Sequence, residues 1–435
     1  MAPGPSGFSI ELVQHGGEVV QQVVHSVVCS AFRTRGVPAM FKHGLIFPTP
    51  KDPNITHSLD KVRPIALTEQ VKLKLITLIL LRRLEPAVRT NGILVEGQHA
   101  GLQDGSTYDP MHVRKCLLDW SRMHGKQLHL VDCDVAAAYD SVPYWALELA
   151  LQRVGVPSPV IQMVMACCTG GTAQVVCEWG LTNTMELSRG VRQGDTLSPL
   201  LYVIFMDGLL KMQQDTQVRD QVLFKPRGTV PVAVHGDCYM DDTFWCSTTK
   251  EGAQGMMERH CTWNAHHGMK LNYSKCVYTC HGSGSGAGGD LQVTVDGCMH
   301  TVKLQGGNGV IRYLGVFAST DSNSEEEVRH VRNKIERALW VIQHMELPLY
   351  QIKYIVGTVI KGILTYPMHV MLLPDKFLRH VDAVVATACK NSLTLPKTAP
   401  SWVAFGNEQQ GGLGIPSMVC AHAMAVGVVQ VVTSR

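Results

Sequence analysis

Apolar residues recur along this chain with two spacings, and the switches between them mark out its elements. After the turn-forming cluster Pro3-Gly4-Pro5-Ser6-Gly7, residues Leu12, Val19, Val20, Val23, Val24, Val27 and Val28 fall at helical intervals. Gly44–Lys51 and Lys61–Leu67 then read as two short strands, the first closing at Pro48-Thr49-Pro50. Val71–Glu85 predicts a helix with Leu73, Ile76, Leu80 and Leu84 inward, Lys72, Arg82 and Arg83 outward, and Pro86 as its stop. Gln98–Asp109 is a polar, glycine-containing loop, and Met111–His124 is helical.

Leu128–Asp134 is an apolar strand that ends in an acid. Helices are expected over Trp145–Val154 and Val160–Cys168, then a hairpin pairing Ala173–Val176 with Met185–Leu187. The glycine-rich Arg189–Pro199 feeds a strongly apolar helix, Leu200–Leu210, with Ser198 as its expected cap and Pro199 in its first turn. Val234–Trp245 reads as a hairpin with Asp241-Asp242 at its tip. A helix over Glu251–His266, a flexible run Gly282–Gly289, and β-rich pieces at Leu291–Val295 and Ile311–Val316 follow. From Glu325 the pattern is helical, broken at Pro348, Pro367, Pro374, Pro396 and Pro400. The whole predicts an α+β core followed by a helical bundle, with a boundary near residue 320 and no internal repeat.

At 435 residues, 45% hydrophobic and 17% charged, the chain belongs with globular proteins that bury a large core. Its net charge of +3 does not by itself argue for nucleic acid. Between Arg329 and Lys397, however, ten Lys/Arg stand against four Asp/Glu, which fits either a basic binding surface or an ordinary solvated helix face. The 14 cysteines lack repeated C-x-x-C spacing, so reduced thiols in an intracellular, soluble protein are expected. Cys276, Cys280 and His281 come nearest to a zinc set, with no second pair to complete it. The start has neither a basic region nor an apolar core for secretion, and no apolar run is long enough for a membrane span.

The candidate chemistry lies in carboxylates at strand ends. Asp241-Asp242 alone would usually be a turn, and Asp134 alone a helix N-cap. Read together, three carboxylates on one sheet would repel one another unless divalent cations sat among them. Two such ions about 4 Å apart suit an in-line phosphoryl displacement, as in nucleotidyl transfer. Gly190 and Gly194 allow close backbone approach, with Arg192 and Gln193 as donors beside them. Lys51 and Arg63 are either a cationic lid over phosphates or two solvated cations.

These motifs, in this order, resemble the reverse transcriptases of non-LTR (LINE-type) retrotransposons. Gly4–Phe8 is similar to that family's opening motif and Arg63-Pro64-Ile65 to its fingers motif. Asp134–Val142, Arg189–Pro199, Tyr239–Asp242 and Gly268–Lys275 resemble its four successive core motifs. Tyr313-Leu314-Gly315 resembles the primer-side motif, and Gly411–Ile415 the block after the thumb. The resemblance implies an α+β right-hand polymerase: fingers from 1–110 and about 145–185, palm over 111–320, a helical thumb over 321–400, and a post-thumb segment over 401–435. It implies an RNA-directed DNA polymerase that adds dNTPs to a DNA primer on an RNA template, using two Mg2+ ions (or Mn2+), in the nucleus or cytoplasm. Asp134 and Asp241 would be the main metal ligands, with Asp242 assisting. Tyr139 would gate against a ribose 2′-hydroxyl, or else be a core aromatic. Gln193 and Gly194 would line the template–dNTP pair, Lys51 and Arg63 would hold the triphosphate, and Lys275 would protonate the departing pyrophosphate.

The chain departs from the family pattern at three places. Met240 stands where alanine is commoner, Ala137 where a lysine is frequent, and Gly101–Thr107 lacks the arginine of a Gly-Arg-Ser-Thr stretch. No endonuclease precedes these motifs and no RNase H or zinc knuckle follows, so a polymerase segment or a degraded element is expected. The competing readings are a catalytically inactive, retroelement-derived nucleic-acid-binding protein, a group II intron maturase, and an RNA-dependent RNA polymerase. Tyr139 and the Gly411 block argue against the last.

Overall fold

The N-terminal apolar repeat forms two helices, α1 (Ile10–His15) and α2 (Gly17–Thr34), with the break at Gly16-Gly17. Of Leu12 and the six valines in that repeat, Val28 alone is buried. The structure is a computed structural model that describes residues 4–51, 62–69, 73–90, 92–102, 105–214, 220–224, 231–282, 289–295, 297–305, 310–319 and 325–433. Most of the flexible run at residues 283–288, and Lys61 of the second strand, lie outside the described residues.

Strands β1 (His43–Pro50) and β2 (Val62–Leu67) pair antiparallel, and α3 (Leu73–Thr90) follows. Pro86 does not end α3, contrary to expectation, because the buried stripe Leu73, Ile76, Leu80, Leu84 runs on to Val88. Burying one more such residue gains about 1.5–3 kcal/mol, which offsets much of the roughly 3 kcal/mol cost of an interior proline. Then come α4 (Tyr108–His124), β3 (Leu128–Ala136), a single turn α5 (Ala138–Ser141), α6 (Tyr144–Arg153) and α7 (Ser158–Cys168). The hairpin region gives β4 (Gly171–Cys177), β5 (Gly180–Leu181) and β6 (Met185–Leu187). Helix α8 (Ser198–Gln213) leads to β7 (Val222–Phe224), β8 (Val232–Val234), β9 (Gly236–Tyr239) and β10 (Asp242–Ser247). Helix α9 (Lys250–His266), β11 (Lys270–Leu271), β12 (Val277–His281) and the hairpin β13 (Leu291–Val295) with β14 (Cys298–Val302) complete this part.

The chain forms two compact units, one of Met1–Pro110 with Lys126–Leu304, the other of Met111–Gly125 with Gln305–Arg435. The first unit is α+β. One of its sheets runs β2-β1-β4-β5, with β1 and β4 parallel and β6 on β4. In the other the order is β12-β3-β10-β9, antiparallel throughout, with β11 on the end of β3. Leu128, His129, Leu130 and Val131 are all buried, and from Asp132 burial alternates along β3. That change of period turns Asp132, Asp134 and Ala136 to the more open face. Leu200 to Met206 of α8 are buried without interruption, marking a helix enclosed on all sides. Ser198 is that helix's first residue rather than its cap; the side chain serving its start is Asp195, whose Oδ1 accepts from Leu197 N at 2.9 Å. Trp245, fully buried on β10, donates Nε1–H to His260 Nδ1 of α9 at 3.1 Å.

The second unit is dominated by helices α10 (Glu325–His344), α11 (Leu349–Tyr354), α12 (Lys361–Met368), α13 (Asp375–Ser392), α14 (Trp402–Phe405) and α15 (Met418–Thr433), with a π-helical turn at Ile355–Ile360. Pro367 is the penultimate residue of α12, which ends at Met368. Ile335, Val356, Ile360, Leu364, Val381 and Met418 form its core. A hairpin, Val310–Tyr313 with Val316–Ser319, turns at Leu314 (φ 45°) and Gly315 (φ 87°), where the Leu314 carbonyl accepts from Tyr366 Oη at 2.7 Å.

Gly236 opens β9 at φ 145°, and a Cβ there would lie 2.0 Å from Phe244 O and 2.8 Å from Trp245 Cα. Gly236→Ala is therefore expected to cost at least about 2–4 kcal/mol, measured as a fall in the urea midpoint, because strain and backbone displacement fall on the central hairpin.

Candidate active site

The site grows out of the register of the central sheet. Asp242, first residue of β10, lies directly opposite Asp134 on β3, and opposite Tyr239 on β9. The hairpin turn is Met240-Asp241, so the unusual backbone falls on Met240 (φ 57°) and not on either aspartate. Asp241 occupies the turn, and Asp242 belongs to the outgoing strand. Asn272 N donates to Asp134 O at 2.8 Å, which fixes the turn leading to Lys275 against β3. Lys275 Nζ then reaches Asp134 Oδ2 at 3.1 Å.

Just past β3, Ala137 takes a left-handed φ of 47° and starts α5. This residue carries the strain of reversing the chain, of order 1–2 kcal/mol for a residue with a Cβ. The reversal brings Tyr139 onto Tyr202 of α8, stacked with centroids 4.9 Å apart, and its hydroxyl 3.2 Å from Met240 Sδ. Val191 N donates to Tyr139 O at 2.8 Å, Gln193 Nε2 to Asp140 Oδ2 at 3.4 Å, and Ala66 N to Gln193 O at 3.1 Å. Gly194 (φ 110°) lies so close to β2 that a Cβ would stand 2.9 Å from Ala66 O. The glycine-glutamine loop is thereby held between α5 and β2.

All nine expected site residues line a single cavity of about 930 Å³: Lys51, Arg63, Asp134, Tyr139, Gln193, Gly194, Asp241, Asp242 and Lys275. Lys51, Arg63 and Lys275 are exposed at its wall. Asp140, Asp195 and Asn272 line it too, although the sequence reading gave them no role there. The turn between Ala137 and Asp140 was the available signal for Asp140, since a one-turn helix after a strand returns its last residues toward the strand end.

Electrostatically the cavity holds too much negative charge for its degree of burial. Burial, then Asp241 and Asp134, push the Asp242 carboxyl up to about 6 although the residue is partly open to solvent. Burial and the Asp134 charge also raise Asp241, against the pull of Lys275 and Lys51. Burial raises Asp140 and Asp195. Burial, then the Asp241 charge, lift the Tyr139 phenol to about 12. Among the described residues no three His, Cys, Asp or Glu side chains close on one point as a ready ligand set. The donor set nevertheless fits divalent cations: hard carboxylate oxygens on adjacent strands, mutually repelling, with an ammonium already resting on one of them.

Residues 49–317 match the family described as "Reverse transcriptase (RNA-dependent DNA polymerase)", and the chain belongs to that family. Its relatives include proteins of retrotransposable elements and transposons. It is 24% identical over 300 residues to the Pol polyprotein of the type-1 retrotransposable element R2 of Popillia japonica, covering 68% of this chain and 48% of that one. The corresponding R2DM protein of Drosophila melanogaster is 23% identical over 322 residues, covering 69% and 28%. A 149 kDa protein of the transposon TX1 of Xenopus laevis is 22% identical over 321 residues, covering 74% and 23%. The chain thus spans about half or less of the length of these relatives. Among solved structures it is similar to apo telomerase from Candida tropicalis, with a TM-score of 0.47 and 11% identity over 87% of this chain and 63% of that one. Among the described residues no helix is long and apolar enough to cross a membrane.

The raised Asp242 pKa sets a sign for pH dependence. Its neutral form favours the fold, a contribution present below about pH 4 and lost as pH rises through about 6. Asp242→Asn should therefore melt higher than wild type at pH 8 without divalent ions, with the difference closing by pH 4, as read by thermal denaturation.

Proposed function

We propose that this chain is an RNA-directed DNA polymerase domain of a non-LTR retroelement, extending a DNA primer with dNTPs on an RNA template. The gathering of all nine expected residues around one cavity, with three aspartates at adjoining strand ends and the turn between them, is the observation that carries the reading. Asp134 and Asp241 would hold two divalent ions, Mg2+ or Mn2+, with Asp242 assisting. When bound, those ions supply charge neutralisation at the reacting phosphate and favour the ionised primer hydroxyl.

The chain's own side chains account for the other requirements. Lys51 and Arg63, exposed at the cavity wall, would take the triphosphate through charge-assisted contacts. Gln193 and Gly194 would set the floor under the nascent base pair, with Gly194 letting the loop pack against β2. Tyr139, braced by Tyr202 and Met240, would close the space where a ribose 2′-hydroxyl would sit. Lys275 would begin on Asp134 and supply a proton to the departing pyrophosphate. In this reading residues 1–110 and about 145–185 are fingers, 111–320 palm, 321–400 thumb and 401–435 a post-thumb segment. The thumb's basic helices would grip the duplex through phosphates, so binding should weaken steeply with salt.

The direct test is extension of oligo-dT on poly-rA with magnesium. Wild type should extend, and Asp241→Ala should lose roughly a thousandfold or more in rate, the equivalent of several kcal/mol of charge stabilisation. A folded wild type that binds the duplex but never extends would instead support a binding-only protein. Tyr139→Ala should keep dNTP incorporation while admitting rNTPs at least about tenfold more readily, read as the ratio of kcat/KM values.

A further inference from the structure

The loop that begins at Gly97 does more than connect α3 to α4. Cys238 N donates to Gly97 O at 2.7 Å, His99 N donates to Cys238 O at 3.1 Å, and Gln98 pairs with Cys238 as a parallel bridge. The segment thus lies along β9, the terminal strand of the central sheet. Gln98 Oε1 accepts from Ala100 N at 3.3 Å and from Met240 N at 3.4 Å, so one side chain holds both the loop and the turn bearing Asp241. At the base of that turn, Asp237 is only 4% exposed, with Oδ1 at 3.3 Å from His99 Nε2. Neither its Oδ2 nor His99 Nε2 has a hydrogen-bond partner among the described residues, so the two side chains meet as an ion pair.

Stability does not explain this pair. Burying opposite charges costs several kcal/mol in desolvation, and apolar residues of similar size usually serve a core at least as well. A polymerase site, by contrast, needs its charge-bearing turn fixed to a fraction of an ångström. We propose that His99 and Asp237 are positioning residues, whose ion pair clamps Gly97–Ala100 onto β9 and, through Gln98, fixes the Met240-Asp241 turn. The kinetic consequence rests on the polymerase reading; the clamp itself does not.

The titration of the pair follows from its surroundings. Burial works against the His99 imidazolium, but contact with Asp237 and the charges of Asp237 and Asp109 outweigh it, and the His99 pKa is raised. Burial and the Asp109 charge raise Asp237, opposed by His99. The clamp is charged on both sides between those two values and weakens as pH rises through that of His99.

The test compares wild type with Asp237→Asn, His99→Gln and the double variant His99→Leu/Asp237→Leu. Amide exchange at Cys238 and Met240 should be about tenfold faster in each single variant at pH 6, as expected for loss of a charge-assisted contact. Primer extension should lose kcat about tenfold with KM for dNTP changed less than about twofold, the pattern of a misplaced catalytic group. The wild-type advantage over Asp237→Asn should shrink from pH 6 to pH 9. The double variant should melt no lower than wild type yet recover neither exchange protection nor kcat. Wild-type exchange at Cys238 and Met240 in the single variants, or full kcat in the double variant, would overturn the proposal. If Asp237→Asn does not fold, His99→Gln, at the more exposed partner, decides alone. If wild type extends no primer, the exchange data still judge the clamp, and only the polymerase reading fails.

Discussion

The interaction on which the structure depends is a repulsion. The antiparallel ladder between β3 and β10 sets Asp134 and Asp242 in direct register, and the preceding turn adds Asp241 beside them. Like charges opposite one another weaken a sheet. The ladder tolerates them because, behind its first residue, β10 is buried from Thr243 to Ser247 while β3 is buried from Leu128 to Val131. Apolar burial of that extent is worth many times the few kcal/mol of charge conflict. Lys275, held by the turn after Asn272, relieves part of the conflict from one side.

How much of this was legible in the sequence depended on how local each determinant is. The strand leading to Asp134 announced itself as an apolar run ending in an acid, and the Asp241-Asp242 hairpin as two β-prone runs around a polar turn. Their registry was not in the pattern of either strand. Family resemblance placed Tyr139, Gln193, Gly194, Lys51 and Arg63 near the same site, and the structure lines one cavity with all of them. The stop expected at Pro86 failed for a tertiary reason, the pocket that accepts Val88. The link from Gln98 to the Met240 amide could not be read at all, since it joins residues 142 apart through a side chain that looks like ordinary loop polarity.

The backbone near the site is unusually constrained for residues that carry a Cβ. Ala137 and Met240 both adopt left-handed conformations, the first just past β3 and the second in the turn between β9 and β10 that carries Asp241. Each is over-determined by its neighbours. Ala137 is fixed between a strand and a helical turn, and Met240 is held by Gln98 on its amide and by the Tyr139 hydroxyl on its sulfur. Strain of this kind persists only where surrounding contacts leave no softer alternative.

The parallel pairing of β1 with β4 has a consequence in time rather than space. His43 and Thr172 are neighbours in that sheet yet 129 residues apart in the chain. During synthesis at about 5–20 residues per second, the β1–β2 hairpin emerges several seconds before its partner strand exists. Until then it presents a bare strand edge, the kind of surface on which nascent chains associate. Closing so long a loop also makes this a late step in folding. The sheet that carries Arg63, and against which the Gln193-Gly194 loop rests, is then among the last parts of the first unit to form.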